Sequence, residues 1–219
     1  MRIVAPVSRV AEIEPLAQAG ANEFYCGLVP PDWLGRFHAI NANRRPSGNL
    51  TRYEDLASAI DIAHAHEATV SLVLNAQHYS AAQIGAAEEI AGRFAELGGD
   101  ALIVSDPGVI HLIRAHFPQM ELHLSVQANT VNWAAVLFWQ QQGIERVILS
   151  RELALEEIAQ IREKVPQMEL EVFVHGALCM AYSGRCLLSG YINKRDPNQG
   201  ACTNACRWEY KVHQTQQDE

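Results

Sequence analysis

The residues of this chain best suited to metal or redox chemistry concentrate in one stretch near its end. Four of the five cysteines stand there with the spacing C-x6-C-x15-C-x3-C, at Cys179, Cys186, Cys202 and Cys206. In a reducing compartment, clustered cysteines more often bind metal or do redox work than form structural disulfides. Only the second pair of cysteines, Cys202 and Cys206, is closely spaced, whereas a zinc ribbon has two closely spaced pairs. The pattern therefore favours a [4Fe–4S] cluster held by four thiolates, with a zinc site and free or redox-active thiols as the alternatives.

The remaining catalytic signatures are weak or missing. Cys26 ends a predicted strand and is interpreted as an ordinary buried cysteine. A cysteine nucleophile activated by His175 is conceivable, but a single nucleophile leaves the other clustered cysteines unexplained. The sequence contains no H-E-x-x-H motif, no G-x-S-x-G elbow and no phosphate loop. Their absence disfavours a zinc protease, a serine hydrolase of the elbow type and a P-loop NTPase.

The elements that must position these residues alternate between short apolar runs and amphipathic helical runs. The apolar runs suit strands buried on both faces of a parallel sheet. They are Arg2–Ala5, Glu23–Cys26, Val70–Leu74, Ala101–Val104, Leu122–Val126, Arg146–Leu149 and Leu170–Val174. The helical runs are Ser8–Ala19, Tyr53–His66, Ala81–Leu97, Gly108–His116, Val131–Gln142 and Leu155–Lys164. Seven such steps predict an α/β fold of the TIM-like (β/α) barrel type, with an open doubly wound sheet as the alternative. The barrel is expected to be incomplete, because a closed one needs eight strands.

Polar residues follow most of the predicted strands. In a (β/α) barrel the loops after the strands form the active face, so these residues would meet at one mouth. We select three candidates for a substrate pocket, namely Gln127, Asn129 and His175. The alternative is that polar residues in these loops are helix caps. Asp106, Thr130 and Ser150 all stand where an N-cap would.

Cations interleaved with aromatic residues occur in the two longest connections, one after the second strand and one in the Cys-rich segment. Such a mixture suits contacts with phosphates and bases, although a solvated loop surface would look the same. The candidate RNA-binding residues are Arg36, Arg44, Arg45, Lys194, Arg195 and Arg207. The formal net charge of the whole chain is −8, which argues against indiscriminate nucleic-acid binding and leaves only a local basic patch.

The composition is that of a folded protein with a sizeable core, since 48% of the 219 residues are hydrophobic. We divide the chain into barrel repeats at 1–174, a Cys-rich segment at 175–212 on the barrel face, and a flexible tail at 213–219. The N-terminal stretch MRIVAPVSRV is too short and too polar for a signal peptide. No apolar run reaches the roughly 18 residues of a membrane span. A cytoplasmic location without membrane attachment is expected.

Two quoted stretches of the Cys-rich segment resemble a known family. EVFVHGALCMAYSGRCLLSGY and RDPNQGACTNACRWEY are similar to the signature of the collagenase-like peptidase U-32 family, and DALIVSDPGVI, ELHLSVQANTVNW and RVILSRELALEEI resemble it upstream. Within that family the chain most resembles the bacterial branch that makes 5-hydroxyuridine at the tRNA wobble position, without molecular oxygen and dependent on prephenate. The resemblance implies that Cys179, Cys186, Cys202 and Cys206 bind the cluster, that prephenate is a co-substrate and that tRNA is the partner.

The resemblance also leaves two other functions open. Some family members are named for collagenase activity, so peptide hydrolysis is the alternative enzymatic function. Family members are longer than this chain and have a further strand and a C-terminal region. A protein partner or a missing C-terminal region is therefore expected to complete the barrel. The third hypothesis for the function is a non-catalytic barrel that acts with a partner.

Overall fold

The computed structural model describes residues 1–37, 43, 48–176, 178–182 and 185–211. Arg44, Arg45 and the tail at 213–219 lie outside the described residues, so what the sequence predicts for them stays a prediction. Among the described helices, none combines the length and the apolar character needed to cross a membrane.

The strands form one curled, parallel half-barrel, which confirms the incomplete TIM-like fold. They are β1 (Val4–Pro6), β2 (Glu23–Leu28), β3 (Asn49–Leu50), β4 (Thr69–Leu74), β5 (Ala101–Val104), β6 (Glu121–Leu124), β7 (Arg146–Ile148) and β8 (Glu169–Glu171). The order along the sheet is β1-β2-β4-β5-β6-β7-β8, and the short β3 pairs with β2. Each of the seven predicted strands overlaps an observed one, and β3 is the strand that the sequence reading missed. In the described part of the chain, β1 and β8 are not paired with each other.

Helices connect successive strands, and one further short helix follows the last strand. They are α1 (Ile13–Gln18), α2 (Pro31–Phe37), α3 (Tyr53–Ala65), α4 (Ala81–Glu96), α5 (Pro107–His116), α6 (Trp133–Gln141), α7 (Leu155–Lys164) and α8 (Leu188–Asn193). The prediction of one helix over Ser8–Ala19 was too long. A 3-10 turn at Val10–Glu12 comes first, and α1 begins at Ile13 so that Pro15 falls in its first turn. Proline is tolerated there because that turn's N–H groups have no partner within the helix. Helices α2 and α8 were not predicted.

Alternation along the strands separates an outer core from the barrel interior. Leu72, Leu102 and Leu122 are fully buried and pair in register on the face toward the helices. Their neighbours Val73 and Ile103 form a separate apolar cluster with Val126 and Ile148, which fills the middle of the interior. Because side chains alternate strictly along a strand, the residues before and after this apolar layer must line the two ends of the same interior.

A charged layer lines the end of the interior at which the strands begin. Arg146 of β7 has a side chain only 6% exposed and is ion-paired with Glu23 of β2, on the far side of the half-barrel. Its guanidinium also donates to Glu169 of β8 at 2.7 Å. His123 of β6 lies on the same face and contacts Glu121 at 2.7 Å. This layer joins strands that do not pair directly, and it leaves the opposite end of the interior for the site.

Candidate functional site

The end of the interior at which the strands finish is lined by buried, neutral polar residues. One such residue follows each of β4, β5, β6 and β7, namely Asn75, Ser105, Ser125 and Ser150. The Asn75 amide donates to the Ser125 hydroxyl across the mouth at 2.9 Å. The Ser105 hydroxyl donates to the Ala76 carbonyl at 3.0 Å. The mouth therefore presents uncharged donors and acceptors rather than a charged cleft.

Two of the three predicted pocket residues belong to this mouth. Gln127 lies in a 3-10 turn at Val126–Ala128 directly after β6, and its carbonyl accepts a hydrogen bond from the Gln77 side chain at 3.0 Å. Asn129 has a left-handed backbone with φ of 53°, and its side-chain oxygen Oδ1 accepts from the Ser150 hydroxyl at 2.9 Å. His175 is exposed, in the stretch after β8.

The helix-cap alternative holds for one of its three residues. Asp106 caps α5, since its carboxylate accepts from the Val109 N–H at 2.9 Å. The cap of α6 is Asn132, two residues beyond Thr130. Thr130 is 2% exposed, and its hydroxyl has no hydrogen-bond partner among the described residues. Ser150 bonds to Asn129 instead of capping a helix. The cap assignment was therefore wrong for Thr130 and Ser150, because each loop runs further before its helix begins.

The Cys-rich segment lies against the loops after β4 and β7. The Gln77 N–H donates to the Asn198 carbonyl at 3.3 Å, and the Gln199 side chain contacts the His78 ring. Arg151, after β7, donates to the Ala181 carbonyl at 3.0 Å. The segment is thus held beside the mouth at two places on the rim.

Hydrogen bonds also connect distant parts of the segment to each other. The Arg207 guanidinium donates to the carbonyl of Leu178 at 2.6 Å, which links the residues next to Cys206 and Cys179. The Thr203 hydroxyl donates to the Ser189 hydroxyl at 3.0 Å. The segment therefore has its own internal structure, although α8 is the one α-helix among its described residues.

All five cysteines are free thiols. Cys26 is buried in β2, as expected, and burial raises the pKa of its thiol to about 12. Cys179, Cys186 and Cys202 are half-buried, and Cys206 is exposed. The Asn204 N–H donates to the Cys202 sulfur, with 3.4 Å between nitrogen and sulfur. Four free thiols, at least one with a donor aimed at it, are a chemically suitable ligand set for an iron–sulfur cluster.

The thiols are not assembled into a metal site in this arrangement. Over the ranges that the structure describes, no three His, Cys, Asp or Glu side chains lie close enough to hold one metal ion. Binding a cluster would require the loops of the Cys-rich segment to bring the sulfurs together. The assignment of Cys179, Cys186, Cys202 and Cys206 as ligands stays a prediction.

The candidate RNA-binding cations that are described lie at the surface. Arg36 of α2 stacks on the Phe37 ring at 5.0 Å and pairs with Glu89 at 3.8 Å. Lys194, Arg195 and Arg207 are exposed in the Cys-rich segment. All four are accessible to a phosphate, although Arg36 and Arg207 already have partners within the protein.

Comparison with known proteins identifies the family. The model of peptidase family U32 matches residues 8–219. The chain belongs to this family. The resemblance in the Cys-rich segment therefore predicted the family correctly.

Named relatives of this U32 chain include proteins of RNA modification. It is 59% identical over 175 residues to the tRNA hydroxylation protein P of Escherichia coli, a match that covers 80% of the chain and 38% of that protein. It is 33% identical over 213 residues to the tRNA hydroxylation protein P1 of Bacillus subtilis, covering 97% of the chain and 47% of that protein. The chain thus spans less than half the length of both relatives.

A solved structure in the same family has the same fold. The U32 peptidase Mk0906 matches with a TM-score of 0.60 at 17% identity, over 82% of this chain and 70% of that chain. At this level of identity the match supports the fold and not a shared activity.

The aromatic residues that the sequence places among the cations of the Cys-rich segment are exposed in this U32 chain. The exposed fractions are 61% for Tyr182, 82% for Tyr191, 48% for Trp208 and 55% for Tyr210. In contrast, Trp33 of the earlier connection is 2% exposed and belongs to the core. The same segment is rich in cations, because residues 175–211 carry five Lys or Arg against two Asp or Glu in a chain of net charge −8.

Proposed function

We propose that this U32 chain is part of an RNA-hydroxylating enzyme and that its substrate is the wobble uridine of tRNA. The observation that carries the proposal is the 59% identity to the tRNA hydroxylation protein P of Escherichia coli. A second relative supports the class of reaction, since the chain is 30% identical over 216 residues to the 23S rRNA 5-hydroxycytidine C2501 synthase of the same organism. Both names describe hydroxylation of RNA.

The barrel mouth is suited to a nucleobase. Enzymes that modify a base take it out of the stack and read its edge by hydrogen bonds. Uracil is neutral and offers one N–H donor and two carbonyl acceptors, which match the uncharged amides and hydroxyls of the mouth. In this proposal Gln127 and Asn129 orient the base, and His175 closes on it from the stretch after β8.

The Cys-rich segment is suited to the rest of the RNA. Exposed aromatic rings stack with bases irrespective of sequence, and cations bind the phosphates between them. Tyr191 and Trp208 provide such rings next to Lys194, Arg195 and Arg207. Arg36 would extend the contact on the other side of the mouth, with Arg44 and Arg45 as further predicted cations.

The proposed cofactor is a [4Fe–4S] cluster on Cys179, Cys186, Cys202 and Cys206, with zinc as the alternative. Replacing a ring C–H by C–OH is a two-electron oxidation of the base, so it needs an oxygen donor and an acceptor for two electrons. A bound cluster would pass electrons to such an acceptor or bind the oxygen donor, whereas zinc has no redox chemistry. Prephenate as a co-substrate, and independence from molecular oxygen, are proposed from the resemblance to the tRNA branch.

The test combines a cofactor assay with a tRNA assay. We expect anaerobically purified protein to contain iron and to absorb in the visible range. In a strain that lacks its own copy, the protein should restore wobble-uridine hydroxylation, as measured by mass spectrometry of tRNA. Cys186→Ser and Cys202→Ser should abolish both signals, whereas Cys26→Ala, which changes the buried cysteine, should retain them. Unchanged hydroxylation in the deletion strain would contradict the proposed substrate, and an iron-free, colourless protein would contradict the cofactor.

Peptide hydrolysis is the second candidate. The chain is 36% identical over 216 residues to a relative named uncharacterized protease MJ0090, from Methanocaldococcus jannaschii. A thiol of the Cys-rich segment or a bound metal would then be the reactive centre. Cleavage of gelatin by colourless, anaerobically purified protein would favour this function over hydroxylation.

The open edge of the barrel supports a partner or a further chain segment as the third element of the proposal. Residues 172–174 follow β8 and expose apolar side chains, with Val174 91% exposed. At the opposite edge Ile3 is 52% exposed. Covering both edges would complete the barrel, whether or not the chain is catalytic by itself. A stable and fully active monomer of this chain alone would contradict the need for such a partner.

A further inference from the structure

Asn198 contacts both a cysteine and the barrel rim. Its side-chain oxygen accepts from the Cys186 N–H at 3.1 Å, and its side-chain amide donates to the Cys186 carbonyl at 2.9 Å. Its own carbonyl accepts from the Gln77 N–H at 3.3 Å, in the loop after β4. One residue therefore fixes the backbone on both sides of the Cys186 side chain and ties it to the mouth.

The turn that carries Asn198 is itself well held. Residues Pro197–Gln199 form a 3-10 turn, and the Asp196 carboxylate caps it by accepting from the Asn198 N–H at 2.8 Å. Gly200 ends the turn with φ of 78°, a left-handed conformation that suits glycine. Gln199 is 7% exposed and anchors the turn to the His78 ring. Asn198 thus projects from a fixed support and not from a free loop.

The hydrogen bonds of Asn198 extend through Gln77 to the pocket residue Gln127. Gln77, whose N–H bonds to Asn198, also donates from its side chain to the Gln127 carbonyl. A chain of hydrogen bonds accordingly runs from Cys186 through Asn198 and Gln77 to Gln127. The position of the thiol and the shape of the mouth are joined by these few contacts.

We infer that Asn198 is a positioning residue that sets where Cys186 lies relative to the substrate pocket. Asparagine suits this role because its amide both accepts and donates, whereas aspartate only accepts. The hydrogen bonds between Asn198 and Cys186 are present without a bound cofactor. Loss of Asn198 would also leave Cys186 poorly placed as a cluster ligand, and this consequence rests on the proposed function.

The first test measures the Cys186 thiol in iron-free, reduced protein. Alkylation by iodoacetamide, followed by mass spectrometry of the Cys186 peptide, should be faster in Asn198→Ala by about fivefold for each hydrogen bond lost. Asn198→Asp, which keeps the acceptor and loses the donor, should fall between Asn198→Ala and the wild type. Asn193→Ala is the matched control, since Asn193 is in the same segment and donates to Thr203, 2.7 Å away.

The alkylation rates of Cys186 and Cys26 distinguish a positioning role from general unfolding. If Asn198→Ala unfolds, the buried Cys26 will also react faster, and the rate measured for Asn198→Asp then tests the inference. Unchanged Cys186 alkylation in a folded Asn198 variant, or equal acceleration by Asn193→Ala, would overturn the inference. After iron reconstitution, Asn198→Ala should lose its visible absorbance to a chelator faster than the control does. Absence of iron from the wild type would contradict the proposed cofactor, and the alkylation rates would still decide the role of Asn198.

Discussion

Single side chains in this protein stabilise turns by gathering several backbone donors. Glu12 is an example in the loop after β1, where its carboxylate accepts from the N–H groups of Ser8 at 2.7 Å and Arg9 at 3.2 Å. The Arg9 guanidinium adds a third contact at 2.9 Å. The hydrogen bond from the Ser8 backbone is the main cause that lowers the pKa of Glu12 to about 2, from an ordinary 4.5. Asn198 does a comparable task with an amide, which carries no charge and so does not respond to pH.

The lowered pKa of Glu12 predicts a pH-dependent contribution to stability. Because the folded pKa lies below the unfolded one, the contribution is complete above pH 4.5 and is lost as the pH falls from about 4.5 to about 2. Glu12→Gln should therefore be less stable than the wild type at pH 7, and the two proteins should converge across this acid range. Urea unfolding at a series of pH values measures the difference. A gap that stays constant from pH 7 to pH 2 would contradict the assignment.

At the scale of elements, polar residues in the loops after the strands either cap a helix or line the mouth, and residue type alone does not distinguish the two roles. Asp106 and Asn132 begin helices α5 and α6. At the mouth, Ser150 instead donates to the Asn129 side chain, and Ser125 accepts from the Asn75 amide. The separation follows from loop length, because a residue that caps a helix must stand directly before it.

Asp106 is expected to affect stability and not chemistry. Asp106→Ala removes the acceptor for the Val109 N–H and should lower the free energy of unfolding by about 1 kcal/mol. Asp106→Asn keeps an acceptor oxygen and serves as the control. Urea unfolding and tRNA mass spectrometry should show lower stability with full hydroxylation for the alanine variant. Loss of hydroxylation at unchanged stability would instead place Asp106 in the active site.

The whole molecule keeps its curled shape although its first and last described strands are not paired. The charged layer provides a cross-connection, since Arg146 and Glu23 lie 123 residues apart in sequence and meet across the interior. Burial alone would raise the pKa of Glu23, but hydrogen bonds and charge from Arg146 and Arg2 outweigh it and hold the pKa below its usual value. Glu23 therefore stays ionised, and its buried charge depends on its arginine partners.

Removing Arg146 should destabilise the barrel strongly. Arg146→Met leaves the buried Glu23 carboxylate without its main partner, and loss of one member of a buried pair costs about 3–5 kcal/mol. Adding Glu23→Gln should recover part of the loss, because the uncompensated charge is then gone. Arg52→Ala removes an exposed pair with Asp55 and should leave the free energy of unfolding close to that of the wild type. Denaturant titration of all four proteins is the measurement, and equal effects at Arg146 and Arg52 would contradict the cross-connection.

The sequence by itself determined the alternation of strands and helices, the seven main strands and the family. Hydrophobic period and motif spacing are local properties of the chain, so they can be read without coordinates. The excess of cations in the Cys-rich segment could also be predicted, because charged residues are counted directly from the sequence.

Only the tertiary structure decided which residues meet. It separated the cap Asp106 from the mouth residue Ser150, buried Trp33 while exposing Trp208, and joined Asn198 to Cys186 and Gln77. These outcomes depend on contacts between segments far apart in sequence, which arise from the order of strands in the sheet and the path of the loops across its rim. No local pattern contains that information, since the same residue types in the same local order would suit either role.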